Sequence, residues 1–248
     1  MIKLKANFTI QLFFLIILVS FFSCSKSNMI YLKKINKSPK YESSKLTINK
    51  ITKNEDDYTF SFNVDNYELG IQTPKTLDFN LANSAKGQHI HFIVNNGPYS
   101  AHYNDNFETK LNNKNNLILA FLSRSYHESV KNNDAFVLTQ TGEENQIDLS
   151  SEFLFYSRPK GVYKGDDTKK LLFDFYLVNT DLSPNGNNVK LTIKEKTNVH
   201  QFLIDSWEPY YIEGLQKGEV SFKIELINKN GEAIETPFNP SERVITLE

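Results

Sequence analysis

Apolar and polar residues alternate in short segments along most of this chain, and clusters of Asn, Gly, Pro and Asp separate the segments. Alternation with a period of two is typical of strands that bury one face. No segment keeps a helical period for long. The pattern therefore predicts an all-β protein.

Two stretches recur in the same order, which indicates an internal repeat. Residues 58–69 resemble residues 171–182, and residues 111–122 resemble residues 215–226. Because each copy has about 100 residues, the size of an immunoglobulin-type domain, we predict two tandem immunoglobulin-like β-sandwich domains. A single larger sandwich built from both halves is the alternative.

We place the first predicted domain at residues 44–148 and the second at residues 149–248. The segment at residues 117–122 is apolar at every position, so both faces of this strand should be buried. The first copy also contains an extra segment, residues 70–87, that the second copy lacks. We expect this extra segment to cover the outer face of the strand.

The amino terminus has the parts of a secretory signal. Lys3 and Lys5 precede the apolar run LFFLIILVSFF, which is shorter than the roughly 20 residues that a membrane-spanning helix needs. Ser23 and Cys24, the single cysteine of the chain, follow the run. This arrangement resembles a bacterial lipoprotein signal, in which an acylated cysteine becomes the new amino terminus.

The resemblance implies a signal peptide at residues 1–23, a lipid-bearing (palmitoylated) Cys24 and a polar tether at residues 24–43. Several acyl chains anchor a protein firmly, whereas one chain is marginal. The expected location is the cell envelope, as an outer-membrane lipoprotein. No acidic run follows the cysteine, which favours the periplasm-facing side over the cell surface. An ordinary secreted protein with an idle thiol is the alternative.

Histidines are concentrated in the first copy, which contains His89, His91, His102 and His127. The pleat of the predicted strand directs Ile90 towards the core, so its two histidine neighbours share the outward face. The second copy has no histidine at the matching positions, which are Asn188, Lys190, the vicinity of Ser206 and Gly231. Such a set can hold a transition metal, and imidazole suits copper and zinc. A hydrogen-bonded structural network is the alternative.

The same stretch resembles an uncharacterised family of small, histidine-rich bacterial periplasmic domains. The similarity covers residues 86–137 and rests on GQHIHF at residues 87–92, on the histidine-tyrosine pair that follows, and on His127. It implies a β-sandwich without an assigned activity. Glu108 and Glu128 lie within this stretch, so their carboxylates are candidates for further ligands or for partners of an imidazole N–H.

Composition and motifs narrow the possible functions. A net charge of −1 gives no field that would attract nucleic acid. The chain has no Gly-rich phosphate loop, dinucleotide fingerprint or nucleophile elbow, and we expect no enzymatic activity. Trp207, Tyr210 and Tyr211 form an aromatic cluster that could instead contact a glycan or a protein.

The sequence therefore predicts a non-enzymatic binding module, anchored to the membrane by lipid, that can bind a copper or zinc ion through the four histidines of its first domain. The alternative is a structural or interaction lipoprotein that binds an envelope protein or glycan through the aromatic cluster.

Overall fold

The computed structural model describes residues 29–55, 57–74, 80–111, 113–142 and 147–248. Regular structure in this part of the chain is β, apart from one short 3-10 helix, Gly165–Thr168. The predicted all-β class is confirmed.

The first sandwich is preceded along the chain by β1, a strand that belongs to a sheet of the second sandwich. The strands in this part of the chain are β1 (Tyr31–Lys34), β2 (Lys45–Asn54), β3 (Asp57–Asp65), β4 (His89–Val94), β5 (Ser100–His102), β6 (Asn106–Lys110), β7 (Asn116–Ser123) and β8 (Phe136–Thr141). One sheet of the first sandwich has the strand order β2-β3-β6, and the other has the order β5-β4-β7-β8.

The second sandwich repeats this plan. Its strands are β9 (Phe153–Arg158), β10 (Val162–Tyr163), β11 (Lys170–Val178), β12 (Asn188–Glu195), β13 (Asn198–Ile204), β14 (Tyr210–Glu213), β15 (Gly218–Ile227) and β16 (Ser241–Leu247). The sheet orders are β1-β14-β11-β9 and β10-β16-β15-β12-β13.

The two copies agree in register as well as in strand order. In the first sandwich Ile90 lies opposite Leu122, and in the second Val189 lies opposite Leu226. These are the pairs that the sequence repeat aligns. Each copy has its own apolar core, so the chain forms two sandwiches rather than one larger one.

A third apolar cluster joins the two sandwiches. The outer face of β7 presents Leu117, Leu119 and Phe121, which pack against Phe155 and Tyr176 of the second sandwich. The expectation that residues 70–87 cover this face was wrong. The second sandwich covers this face instead. A pattern of residues within one domain cannot show a contact with another domain.

Polar contacts also cross this junction. Asp174 of the second sandwich is buried and accepts hydrogen bonds from the Lys131 ammonium and from the Ser129 hydroxyl, the latter at 3.0 Å. The side-chain carbonyl of Asn96, in the loop after β4, accepts the Tyr156 N–H at 3.1 Å. The two sandwiches are therefore joined by an apolar interface and, beside it, by the buried ion pair between Lys131 and Asp174.

Strand β1 lies within the segment that we expected to be a polar tether. It pairs antiparallel with β14 and adds an edge strand to the second sandwich. Ile30 is buried and Leu32 packs on the same core. These alternate apolar residues attach the segment to the second sandwich. The predicted signal peptide and Cys24 lie outside the described residues. Within those residues, no helix is both long enough and apolar enough to cross a membrane.

Candidate metal centre

His89 and His91 lie where the pleat of β4 predicts, on the face opposite Ile90. Both side chains are fully buried, because the second sandwich covers this face. Nδ1 of His91 lies 3.4 Å from the Ser157 hydroxyl on β9. The predicted outward face of the first domain is therefore an interior face of the whole molecule.

His127 lies in the tight turn that follows β7. The Arg124 N–H donates to the Glu128 carbonyl at 2.9 Å, and the His127 N–H donates to the Arg124 carbonyl at 2.9 Å. His127 adopts a φ of 70°, in the left-handed region that residues other than glycine rarely occupy.

The second sandwich contains the same turn, with Gly231 at the position of His127 and a φ of 81°. Its hydrogen bonds are equivalent, from Asn228 N–H to the Glu232 carbonyl and from Gly231 N–H to the Asn228 carbonyl, both 2.9 Å. The predicted correspondence of His127 with Gly231 is confirmed. The two turns therefore share a left-handed backbone conformation and differ in the side chain at this position, an imidazole in the first turn and none in the second.

The turn brings His127 to the pair on β4. One ring nitrogen from each of His89, His91 and His127 can be chosen so that all three lie within 4.8 Å of one another. Nδ1 of His127 lies 3.1 Å from Nε2 of His89. Three imidazoles thus converge at the junction of the two sandwiches.

Hydrogen bonding determines which nitrogens carry lone pairs. Nδ1 of His89 lies 2.8 Å from the Gly87 carbonyl oxygen, which can only accept, so Nδ1 carries the proton. Nε2 of His89 therefore presents its lone pair to the cluster. Nε2 of His91 is buried and has no hydrogen-bond partner among the described residues. A backbone carbonyl that orients an imidazole in this way is typical of metal-ligating histidines.

The surroundings keep the three imidazoles neutral. Burial lowers the pKa of His89 to about 4 and, with the nearby Arg158 guanidinium, that of His127 to about 2. Burial and the neighbouring His89 hold the pKa of His91 well below its ordinary value. Neutral imidazole is the form that binds metal ions.

His102 does not join the cluster. It lies on β5 opposite Ile90, so its side chain shares the inner face with that residue. Its ring stacks on Phe107 with centroids 3.4 Å apart, and its Nε2 lies 2.7 Å from the Ser100 hydroxyl. The residue at the same place in the second sandwich is Ile204, opposite Val189, and not Ser206 as expected. The predicted quartet is therefore a triad.

The two candidate carboxylates also lie elsewhere. Glu108 is exposed on β6. Glu128 is buried, and its carboxylate pairs with Arg124 at 2.9 Å and accepts the Ser38 hydroxyl at 2.6 Å. Neither carboxylate belongs to the group of converging ligand atoms found in the described chain.

The predicted aromatic cluster does not form one surface. Trp207 donates its indole N–H to the Phe175 carbonyl at 3.0 Å and packs edge-on against Tyr176. Tyr210 is buried in the core, whereas Tyr211 points to the other face of β14. Neighbouring residues of a strand face opposite ways, so these two tyrosines cannot stack on one ligand.

Tyr99 belongs to the site, and the sequence reasoning missed it. Its ring stacks on His91 with centroids 3.6 Å apart, and its hydroxyl lies 3.3 Å from Nδ1 of His127. Tyr99 lies in the loop before β5. Strand periodicity does not extend to such a loop, so only its nearness in sequence to the histidine pair could have indicated it.

Comparisons with known proteins bear on the fold class of this chain. No protein-family model and no curated protein matches this chain. Similar solved structures include the fibronectin(III)-like modules of CbhA from Clostridium thermocellum, with 12% identity over 82% of this chain and 94% of that chain and a TM-score of 0.29. A two-domain fibronectin type-III segment of chicken tenascin has 8% identity over 82% of this chain and 98% of that chain, with a TM-score of 0.24.

These TM-scores are low, so the assignment rests on the sheets themselves. Each copy has sheets of three and four strands in the same order, to which the second copy adds β1 and β10 as further edge strands. The protein is therefore of the immunoglobulin-like class, with two tandem β-sandwiches.

Proposed function

We propose that the chain is a non-enzymatic binding module of the cell envelope that holds one transition-metal ion, copper or zinc, through His89, His91 and His127. The observation that carries this proposal is the convergence of three neutral imidazoles, one of which has a buried nitrogen without a partner. Imidazole nitrogens bind these ions at about 2.0–2.1 Å, and small side-chain movements would bring three nitrogens within 4.8 Å to that distance.

The alternative, a hydrogen-bonded network, fits the same residues less well. The one proton that Nδ1 of His127 can carry serves the lone pair on Nε2 of His89, and the buried Nε2 of His91 still has no partner among the described residues. A buried polar atom left without a partner costs about 1–3 kcal/mol. An ion bound between the three rings would give each imidazole nitrogen that faces it a partner.

A binding role is favoured over catalysis because the site is closed. His89 and His91 are fully buried, and the Tyr99 ring covers the latter. Catalytic metal sites keep a position open for water or substrate, whereas structural sites are closed.

Metal analysis of the purified mature chain tests this function. The protein is stripped with a chelator, dialysed against Zn²⁺ or Cu²⁺, and its metal content is counted by mass spectrometry. We expect one ion per chain in the wild type and a near-complete loss in His91→Phe, which keeps an aromatic ring in place. His102→Phe is the matched control and should retain the ion. Equal metal in His91→Phe and in the wild type would refute the proposal.

We further propose that Cys24 carries the lipid anchor and that the module faces the periplasm from the outer membrane. The lipoprotein-like signal supports this proposal. Because β1 begins at Tyr31, seven residues after Cys24, the second sandwich would lie within roughly 25 Å of the bilayer surface. Fractionation of cells tests the anchor: the wild type should sediment with membranes, and Cys24→Ser should not. Equal sedimentation of both would contradict it.

A further inference from the structure

The hydroxyl of Tyr99 lies at a distance from a histidine nitrogen that suits a fourth metal ligand. Its side chain is 4% exposed, and its hydroxyl lies 3.3 Å from Nδ1 of His127. That same nitrogen lies 3.1 Å from Nε2 of His89. Two donors about 2.0–2.1 Å from a tetrahedral ion lie about 3.4 Å apart, so both separations are close to those within a coordination sphere.

Hydrogen bonding alone does not account for this arrangement. If Nδ1 of His127 carries a proton and donates it to His89, it cannot accept the Tyr99 O–H. If Nδ1 instead accepts from Tyr99, it presents a lone pair to the lone pair of His89. In the first case one proton is shared between two acceptors, Nε2 of His89 and the Tyr99 oxygen, and in the second case two lone pairs face each other. All three groups are largely buried.

Burial and charge act on Tyr99 in opposite directions. Burial raises the pKa of the Tyr99 phenol, whereas the nearby Arg158 guanidinium lowers it, and burial has the larger effect. The Lys160 ammonium lies 3.9 Å from the centroid of the Tyr99 ring, and the Arg158 guanidinium lies 5.3 Å from it. No carboxylate joins the ligand group in the described part of the chain. Two nearby cations oppose the binding of a bare divalent ion, and one anionic oxygen beside the metal would offset part of that repulsion.

We propose that Tyr99 is the fourth ligand of this site, bound through its phenolate oxygen, and that the site therefore takes Cu²⁺ in preference to Zn²⁺. On binding, the phenol O–H bond breaks, the proton passes to solvent, and an oxygen–copper bond forms without any change in the oxidation state of copper. Mixed nitrogen and oxygen donors are typical of Cu²⁺. This inference rests on the proposed function, since it concerns the same site.

Copper titration of the chelator-stripped mature chain tests the inference by visible absorption. Phenolate bound to Cu²⁺ gives a charge-transfer band in the visible region, which copper bound to imidazole alone lacks. We expect the band in the wild type with one equivalent of Cu²⁺. In Tyr99→Phe we expect the band to disappear and the copper affinity to fall by at least roughly tenfold. The Phe ring preserves the stack on His91.

Tyr103→Phe is the matched control. The Tyr103 ring lies 5.1 Å from that of His89, and its hydroxyl bonds to the Ser84 hydroxyl at 2.8 Å. This variant should keep the band. If Tyr99→Phe binds copper with an unchanged band and affinity, Tyr99 is not a ligand, and the three-histidine site still stands. If the wild type binds neither Cu²⁺ nor Zn²⁺, both this inference and the proposed function are overturned.

Discussion

Replacement of His127 by glycine should remove one of the three proposed metal ligands without harm to the metal-free fold. The backbone at this position has a φ of 70°, and the equivalent position of the second sandwich is Gly231. A left-handed conformation costs a residue other than glycine about 1–2 kcal/mol. Glycine relieves that strain, but it loses roughly 0.5–1 kcal/mol through greater freedom in the unfolded chain. We add a loss of about 1 kcal/mol for the packing of the largely buried imidazole.

These contributions nearly cancel, so the metal-free His127→Gly protein should unfold within about 1 kcal/mol of the wild type. The metal-bound forms should differ more. An ion at 100 times its dissociation constant stabilises a binding-competent protein by about 2.7 kcal/mol. The variant should lose most of that gain. Urea unfolding, with chelator and then with excess Zn²⁺, measures both quantities.

His127→Ala is the matched control for the backbone argument. Alanine also removes the imidazole but keeps the left-handed strain, so the metal-free alanine variant should be less stable than the glycine variant by about 1 kcal/mol. If Zn²⁺ stabilises His127→Gly as much as the wild type, His127 is not a ligand. If alanine and glycine are equally stable, the inference of strain at this turn is wrong.

Three further predictions concern the scaffold. Burial lowers the pKa of His102 from 6.5 to about 4, so the folded state resists protonation and the wild type should lose stability as pH falls from 6.5 to about 4. The decline should be shallower in His102→Ile, and equal acid unfolding curves would contradict this. Asp174→Asn leaves the Lys131 ammonium without its carboxylate at the junction and should cost about 3 kcal/mol in urea unfolding, and a loss below about 1 kcal/mol would contradict a buried pair. Leu119→Ala removes a fully buried side chain between the sandwiches and should cost about 2–5 kcal/mol by the same measurement, whereas an exposed site would change by less than about 0.5 kcal/mol.

Much of the fold could be predicted because two copies constrain each other. The repeat aligned Ile90 with Val189 and Leu122 with Leu226, and the observed pairing has the same register. Strand parity then placed His89 and His91 on one face. The correspondence with Gly231 placed the third histidine, and its significance appeared only when both residues showed a positive φ.

The remaining features depend on tertiary contacts that a local pattern does not contain. His102 faces the core because it pairs with Ile90 across the sheet. The loop before β5 separates the two strands, so the sequence pattern did not reveal which residues pair. Likewise, residues far along the chain, such as Phe155 and Tyr176, bury the histidine-bearing face. Periodicity showed that this face is apolar, but it could not show which part of the chain covers it.

X-ray absorption at the edge of the bound metal tests the three-histidine centre most directly. The measurement uses the full mature chain loaded with one equivalent of Cu²⁺ or Zn²⁺, with His91→Phe for comparison. The three-histidine site predicts the outer-shell scattering of three imidazole rings, with metal–nitrogen distances of about 2.0–2.1 Å, and the loss of one ring in the variant. A shell of water oxygens alone, or an identical spectrum from His91→Phe, would contradict it.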